Sequence, residues 1–123
     1  MTIIVAATLD FADQATRDEV VAATAPVQWA TRVEEPGCRA YCFAADPSVD
    51  NRIQVYELWD DEASLAAHFK HPNYEAMVAV LRKGGITDTA NRMFLVAKDE
   101  PVYGPNGERR ERFFLEPEPA APE

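Results

Sequence analysis

The 123-residue sequence lacks any apolar run close to the length of a membrane span. A helix that crosses a bilayer needs roughly 20 consecutive apolar residues, so we expect no membrane partner. The opening residues, MTIIVAATLDF, also lack the positively charged start and the small-residue cleavage site of a secretory signal. We therefore expect a cytoplasmic protein.

Basic residues are scarce, because 12 lysines and arginines stand against 21 acidic residues, giving a formal net charge of −9. A surface of this sign repels phosphate backbones. The basic residues form no stripe with interleaved aromatic side chains, which is the pattern of a nucleic-acid interface. We expect no nucleic-acid partner, and an anionic ligand would need a local cation.

Cysteine and histidine are almost absent, with two residues of each. Cys38 and Cys42 fall in one predicted strand, about 13 Å apart at the rise of a strand and beyond the roughly 7 Å that a disulfide spans. We expect two free thiols. His68 and His71 lack the i, i+4 spacing and the acidic partner of a helical zinc site, so we expect no metal.

What the sequence does contain is the pattern of one domain. At 123 residues the chain is long enough for a single two-layer core and too short for two. Runs rich in β-branched and aromatic residues predict strands. The predicted strands are residues 2–9, 37–45 and 52–59, with a last one within residues 91–98.

Apolar spacing predicts helical segments between these strands. Thr16 and Glu19 have the spacing of a capping box. Asp60 or Asp61 is expected to cap a second helix, and Pro72 is a favoured first residue for a third. The inward faces predicted from helical spacing are Val21, Ala25, Trp29 and Val33 in the first, Leu65, His68 and Phe69 in the second, and Tyr74, Met77, Val78 and Leu81 in the third.

The order β-α-β-β-α-β predicts an α+β, ferredoxin-like fold, in which an antiparallel sheet has its helices on one face. We expect residues 1–99 to form this domain and residues 100–123 to form a Pro-rich, acidic arm or tail. Within it, the apolar run at 113–115 favours an arm over 101–115 that lies on a partner subunit or over a cavity mouth. The last eight residues are expected to be loose.

The two central predicted strands are apolar on both faces. Side chains alternate along a strand, which places Val55, Glu57 and Trp59 on one face. The small side chains expected on this face are Val5, Ala7, Ala40 and Cys42. We expect this small-residue face to leave room for a cavity under the helices. The other face carries large groups and needs another cover, so we expect a homodimer packed sheet to sheet. The residues expected on it are Tyr41, Phe43, Tyr56 and Leu58.

Glu57 is the sharpest candidate for function, because an unpaired carboxylate is costly to bury. In a structural role it would bond to a backbone amide or to a cation such as Arg92. In a functional role it would be a base whose pKa is raised by apolar neighbours. Such a base removes a proton from a phenol or an α-carbon.

Other side chains are expected to share the cavity with this carboxylate. A neutral His68 is the usual kind of base near neutral pH, although its ring would also suit packing against the sheet edge. Trp59 and Tyr74 would hold an aromatic substrate or fill the core. Arg92 would balance the carboxylate, and Cys42 would line the cavity as a small apolar group.

The segment EPGCRAYCF, followed after a short turn by QVYELWDDEASLAAHFKHPNYEAM, resembles the antibiotic biosynthesis monooxygenase (ABM) family. The resemblance covers roughly residues 2–98 and is carried by three motifs. They are E-P-G-C at 35–38, Y-E-x-W at 56–59 and A-H-x-x-x-P at 67–72. The resemblance implies a dimeric α+β barrel.

The branches of that family imply different reactions. Quinone-forming members oxidise phenolic polycycles or hydroquinones with dioxygen and without metal or flavin, and their tryptophan corresponds to Trp59. Their asparagine four residues earlier is Val55 here, at a position expected to contact substrate. Heme-degrading members have Asn, Trp and His where this chain has Ala7, His68 and Val78, so we do not expect heme degradation.

The residues fit three functions. The first is cofactor-independent oxidation of a small phenolic or quinol-like substrate by dioxygen, with His68 or Glu57 as the base. The second is a non-catalytic, dimeric ligand-binding or stress-related protein, which the valine at position 55 favours. The third is isomerisation of a small carbonyl compound, implied by a family branch that acts on a phosphorylated dione. Its phosphate would need an inward cation, and the sequence identifies none.

Overall fold

A four-stranded antiparallel sheet and three helices make up the computed structural model, which describes residues 1–115. In chain order the elements are β1 (Ile3–Asp10), α1 (Gln14–Glu34), β2 (Cys38–Ala45), β3 (Arg52–Trp59), α2 (Glu62–Phe69), α3 (Pro72–Gly84) and β4 (Asp88–Leu95). The strands lie in the order β2-β3-β1-β4, and each neighbouring pair is antiparallel. The predicted α+β, ferredoxin-like fold is confirmed.

Helix α1 begins earlier than its sequence pattern indicated. Asp13 is the N-cap, and its side chain accepts a hydrogen bond of 2.8 Å from the backbone N–H of Thr16. The predicted capping box at Thr16 and Glu19 is therefore wrong, because an aspartate three residues upstream already satisfies the first free N–H groups.

The face that α1 turns to the sheet also differs from the prediction. Trp29 and Val33 are 66% and 58% exposed, so the i, i+4 stripe to which they belong lies on the outer side. The buried face contains hydrogen-bonded polar groups; the Gln28 side chain, for example, donates to the carbonyl of Phe43 and accepts from its N–H. Apolar spacing cannot find such a face. Its buried residues are Arg17, Val20, Thr24, Val27, Gln28 and Thr31.

A β-bulge reverses the predicted faces of β2. The pairing with β3 shifts between Cys38 and Ala40, so that Tyr41 lies opposite Glu57 and Phe43 follows on the same side. Tyr41 and Phe43 are 2% and 7% exposed, under the helices. Their predicted place on the open face, which is the face of the sheet opposite the helices, is wrong. An extra residue in one strand turns every later side chain to the other side.

The same bulge moves the small residues of β2 away from the helices. Ala40 lies opposite Leu58, and Cys42 lies opposite Tyr56, on the face that no helix covers within residues 1–115. The expected place of Ala40 and Cys42 next to Glu57 is therefore wrong. The expected place of the two small residues of β1 is confirmed, because Val5 lies opposite Glu57 and Ala7 lies opposite Val55.

Strand β4 is an edge strand, and all eight of its residues are exposed. It begins and ends three residues before the predicted window of 91–98. Met93 and Phe94 point to opposite faces, and both are more than half exposed. Neither face of this strand has a cover in the described part of the chain.

Residues 100–115 fold back on themselves. Tyr103 and Arg109 form an isolated bridge, and Glu100 accepts from the Arg110 guanidinium and from the Phe114 N–H, both at 2.8 Å. Exposed apolar side chains remain on this segment, namely Val102, Tyr103, Phe113, Phe114 and Leu115. The looseness expected of the last eight residues concerns 116–123, which lie outside the described residues.

Candidate functional site

A cavity of about 650 Å³ lies between the sheet and helices α2 and α3. Its volume is in the range of small-molecule sites. The helices contribute apolar side chains such as Met77, and all four strands contribute residues to the opposite wall. Its polar lining residues include Tyr41, Glu57, His68, Tyr74 and Asn91. The expected cavity under the helices is present, and it extends across the sheet from β2 to β4.

Glu57 is buried, and the Trp59 indole satisfies it. The side chain is on the helix face of β3, and its Oε1 accepts a hydrogen bond of 2.9 Å from the Trp59 Nε1–H. Burial raises the pKa of the Glu57 carboxyl above its ordinary value, while the Trp59 bond and the nearby His68 oppose that rise. Glu57 is thus a carboxyl group with increased proton affinity at the cavity wall.

His68 is 2% exposed and is bonded to a second buried acid. Its Nδ1 lies 2.8 Å from Oε1 of Glu35. The other Glu35 oxygen, Oε2, accepts from the Asn73 side-chain amide at 3.2 Å. The histidine is therefore held by a carboxylate that a third residue holds in turn.

Three helix ends meet at this cluster. Glu35 is the C-cap of α1, His68 is in the last turn of α2, and Asn73 is in the first turn of α3. The predicted N-cap Asp61 and the predicted first residue Pro72 set the starts of the two later helices, and both predictions are confirmed. Local capping signals thus bring three distant side chains together.

Gly37 allows the first two of these helix ends to approach. Its backbone is left-handed, with φ of 85°, a conformation that favours glycine. A Cβ at this position would collide with the side chain of Ser64 in α2. The glycine therefore keeps the end of α1 close to α2, and with it Glu35 close to His68.

Aromatic rings surround the His68 imidazole. The ring centroid of Trp59 lies 4.6 Å away with a tilt of 34°. Tyr41 and Tyr74 present their rings nearly edge-on, at 5.4 and 5.5 Å. Burial raises the pKa of the Tyr41 hydroxyl well above its ordinary value, so this group stays neutral and can donate a hydrogen bond.

A family model described as antibiotic biosynthesis monooxygenase matches residues 2–80, more than half of the chain. The chain belongs to the antibiotic biosynthesis monooxygenase family. Among curated proteins, the chain is similar to the uncharacterized protein sll1783 of Synechocystis, with 39% identity over 44 residues. That match spans 36% of this chain and only 30% of the relative.

Solved structures of similar shape come from several organisms. A candidate antibiotic biosynthesis monooxygenase from Deinococcus radiodurans has a TM-score of 0.70 at 20% identity, covering 85% of this chain and all of that one. One from Caulobacter crescentus has a TM-score of 0.71 at 20% identity, covering 79% and 91%. Rv0793 from Mycobacterium tuberculosis has a TM-score of 0.69 at 19% identity, covering 82% and 100%. At these identities the likeness establishes the fold alone.

In this ABM family member, four of the residues singled out in the sequence come together. Glu57, Trp59, His68 and Tyr74 form one connected group on the helix side of the sheet. Val55 is on the same face, but at 6% exposure it is part of the hydrophobic core.

Two other predicted residues lie elsewhere. Cys42 faces away from the cavity beside Tyr56. Arg92 lies opposite Ala6 on β1, in the row of residues that points to the open face. Arg92 borders the cavity, but the hydrogen bond that satisfies Glu57 comes from Trp59. The expected pairing of Arg92 with Glu57 is therefore wrong.

Sequence reasoning missed Glu35 and Tyr41. Glu35 opens the E-P-G-C motif, where it was interpreted only as the end of a helix. The signal available was its position directly after a long helix, which allows a side chain to reach back over neighbouring helix ends. Tyr41 was missed because a bulge is not visible in the alternation of side chains.

Within residues 1–115, no three His, Cys, Asp or Glu side chains are grouped so as to hold a metal ion. None of the helices in that part of the chain is long and apolar enough to cross a membrane.

Proposed function

We propose that this ABM family member is a cofactor-independent monooxygenase that oxidises a small phenolic or quinol-type substrate with dioxygen. The observation that carries the proposal is the presence of two buried proton acceptors, His68 and Glu57, in the wall of a mostly apolar cavity. Tyr74 lines the cavity and approaches His68 edge-on, so its ring would orient a planar substrate. Trp59 is fully buried and packs against the His68 ring.

The reaction begins with the loss of a substrate proton. Transfer of the phenolic proton to His68 or Glu57 breaks the O–H bond and leaves a phenolate, which is far easier to oxidise than the phenol. Dioxygen takes electrons from this anion and bonds to a ring carbon, and loss of water then leaves a quinone carbonyl. One oxygen atom ends in the quinone and the other in water, so the substrate itself supplies all the electrons.

The charges around the cavity favour a neutral, hydroxylated substrate over an anionic one. Glu57 borders the cavity, and Glu35 lies directly behind His68. Arg92 borders it from a row that points to the open face. A phosphate group would therefore meet carboxylates without a cation directed at it. Isomerisation of a phosphorylated dione has correspondingly less support.

A non-catalytic ligand-binding or stress-related protein is the second candidate. The observation in its favour is Val55, which stands where quinone-forming relatives have an asparagine and which is packed in the core. A valine offers no hydrogen bond to a substrate oxygen. The cavity would then bind a ring without activating it.

Oxygen uptake by the metal-stripped protein tests the two candidates. With a panel of hydroquinones and anthrone-like phenols, uptake above the spontaneous rate is expected. His68→Ala or Glu57→Gln is expected to lower it by about 10²- to 10⁴-fold, the usual contribution of a positioned base. Cys42→Ser, on the other face of the sheet, is the matched control and should keep its activity. Saturable binding of a phenol without any oxygen uptake would contradict the proposed enzyme and support the ligand-binding protein.

We also propose that a second copy of the chain covers the open face. The sequence predicted this dimer partly from Tyr41 and Phe43, which are buried. Tyr56 and Phe94 do lie on the open face, where they are 46% and 51% exposed. Residues 100–123 would serve as an arm attached to the domain of residues 1–99, and the exposed apolar groups of the described part of that arm suit a contact with the partner.

Sedimentation equilibrium tests the second copy. The wild-type chain is expected to sediment as a dimer, and Tyr56→Arg is expected to shift it toward the monomer by burying an unpaired charge. Trp29→Arg is the control, because Trp29 is exposed to a similar or greater extent on the outer side of α1. Equal behaviour of the two variants would remove the open face as the interface.

A further inference from the structure

The Glu35 side chain is more buried and has more bonding partners than a residue that only ends a helix needs. It is 7% exposed, and each of its carboxylate oxygens has its own partner. Oε1 lies 2.8 Å from Nδ1 of His68, and Oε2 accepts from the Asn73 amide at 3.2 Å. A buried carboxylate with a partner on each oxygen is held in both position and orientation.

The neighbouring histidine cannot supply the proton in this network. His71 Nδ1 accepts a hydrogen bond of 3.0 Å from the backbone N–H of Asn73, so this nitrogen carries no proton, and it lies 3.9 Å from Glu35 Oε2. Asn73 donates to one Glu35 oxygen, and the oxygens of a carboxylate act as acceptors, which makes Nδ1 of His68 the donor to the other oxygen. The proton between Glu35 and His68 therefore belongs to Nδ1 of His68.

A proton on Nδ1 leaves the other ring nitrogen of a neutral His68, Nε2, as an acceptor. Nε2 has no hydrogen-bond partner among residues 1–115, and no buried side-chain nitrogen or oxygen in that part of the chain is left without one. Nε2 must therefore be accessible, and the space that His68 borders is the cavity. The nearby Trp59 N–H is already bonded to Glu57.

We propose that Glu35 is the positioning residue that holds the proton of His68 on Nδ1, so that Nε2 of His68 is the base of the site. This inference rests on the proposed function and assigns its base. In the transfer, the substrate O–H bond breaks, an Nε2–H bond forms, and the Glu35 carboxylate stabilises the imidazolium through the Nδ1–H bond. Glu57 then orients Trp59 and adds a negative charge beside the imidazolium.

Several ionisable groups surround this histidine. They come from each element packed around it and are Glu35 and His71 at the helix ends, Glu57 on β3, Cys38 and Tyr41 on β2, and Tyr74 on α3. Only Glu35 is bonded to the ring, so the state of the ring should depend on Glu35 more than on the others.

The test is the tautomer of His68, measured by ¹⁵N NMR on the full chain. The wild type is expected to carry the proton on Nδ1. In Glu35→Gln, the Asn73 amide is expected to bind the glutamine oxygen, which turns the glutamine NH₂ group toward His68 Nδ1. The histidine must then accept at Nδ1, and its proton moves to Nε2. Glu34→Gln is the matched control, since it removes an adjacent negative charge that contacts Asn73 but not His68, and it should leave the tautomer unchanged.

A rescue variant separates this role from a merely structural one. Adding Asn73→Ala to Glu35→Gln removes the donor that fixes the glutamine, so its oxygen can face His68 again and the Nδ1 proton is expected to return. Circular dichroism identifies variants that fail to fold. Asn73→Ala alone should keep the proton on Nδ1. If the double variant does not fold, the tautomer of the wild type still tests the proposal. A wild-type proton on Nε2, or the same tautomer in Glu35→Gln, would overturn the proposal.

Activity gives an independent second measurement. Glu35→Gln is expected to lower kcat/KM for oxygen uptake by about 10²- to 10⁴-fold, and the rescue variant should recover part of it. If no substrate of the panel is oxidised by the wild type, the oxygenase proposal fails while the tautomer still decides the role of Glu35. If uptake occurs and Glu35→Gln is as active as the wild type, the positioning role fails while the oxygenase proposal stands.

Discussion

Strands β3 and β4 both pair with β1 and both have eight residues, but their surroundings differ. Burial alternates along β3, so that Val55, Glu57 and Trp59 are covered by the helices. All residues of β4 are exposed, including Met93 and Leu95 on the side that the helices cover elsewhere. The two strands belong to one sheet, yet within residues 1–115 the helices cover one face of β3 and neither face of β4.

The reactive groups of the site lie around β3, whereas the exposed wall of its cavity lies along β4. Around β3, the hydrogen bonds between Trp59 and Glu57 and between His68 and Glu35 are formed within one chain. Along β4 the cavity wall is a single exposed strand, followed by the exposed apolar groups of residues 100–115. The proton-accepting groups are thus held in place within residues 1–115, whereas the cavity stays open along β4 in that part of the chain.

The largest expected contrast is in stability. Trp59 is fully buried, and Trp59→Ala is expected to lower the free energy of unfolding by about 3–5 kcal/mol through lost burial and a cavity. Phe94→Ala on β4 is expected to cost less than about 0.5 kcal/mol when the protein is dilute. Urea denaturation at low protein concentration measures both. Similar losses would mean that β4 is covered within a single chain.

A smaller loss in the free energy of unfolding is expected for Gly37→Ala. Its left-handed backbone makes Gly37→Ala cost about 1–3 kcal/mol in strain, and the collision with Ser64 adds to this. Gly107 in the C-terminal segment has a similar φ of 77° and open space around it, so Gly107→Ala serves as control and should cost less. Equal losses by thermal denaturation would show that close packing of α1 on α2 is not required.

A pH-dependent effect is expected at Glu57. Burial raises its pKa above the ordinary value of 4.5, so the folded protein binds this proton more tightly than the unfolded chain does. The resulting stabilisation is fully present below the ordinary value and is lost as the pH rises through the folded-state pKa. Glu57→Gln removes this dependence.

Paired denaturation curves measure the size of this dependence. The free energy of unfolding of Glu57→Gln, relative to wild type, should increase as the pH rises above the ordinary value of 4.5. Glu34→Gln, which alters an exposed carboxylate, is the control. A flat difference for Glu57→Gln would mean that the cavity wall is as wet as the protein surface.

The smallest effect on the fold, but a sharp chemical contrast, is expected at the two thiols. Burial and the acids Glu35 and Glu57 raise the pKa of Cys38 from 9.0 to about 11. Its alkylation near pH 8 should therefore be roughly 100-fold slower than that of an ordinary thiol. Cys42 lies on the open face and should react faster, with protection at high protein concentration if a second copy covers it. Mass spectrometry of single-cysteine variants measures both rates, and equal rates would contradict the assigned faces of β2.

Much of the framework was predictable because its signals are local. Residues 52–59 were predicted as a strand and form β3 with the same bounds. Asp61 and Pro72 marked the starts of α2 and α3, since capping depends on a few adjacent residues. The family was also recognisable from the short motifs around Glu35, Glu57 and His68, and the family match confirms it.

Errors arose where a distant contact overrides a local pattern. Trp29 and Val33 had helical spacing, but the polar residues Gln28 and Arg32 are the ones that donate hydrogen bonds to β2. Tyr41 and Cys42 were exchanged between faces because a bulge changes the register without changing the composition. Arg92 was assigned to Glu57 by charge alone, while the pairing of β4 turned it to the other row.

By itself, the sequence determined the class of the fold, the starts of its shorter helices and the family, because capping, strand composition and motifs act over a few residues. It also identified Glu57, Trp59, His68 and Tyr74 as one neighbourhood. Only the tertiary structure decided that Glu35 bonds to His68, that Trp59 satisfies Glu57, and that β4 stays uncovered within residues 1–115. These depend on how three helix ends and four strands meet, and hydrogen bonds across 33 residues leave no periodic trace in a sequence.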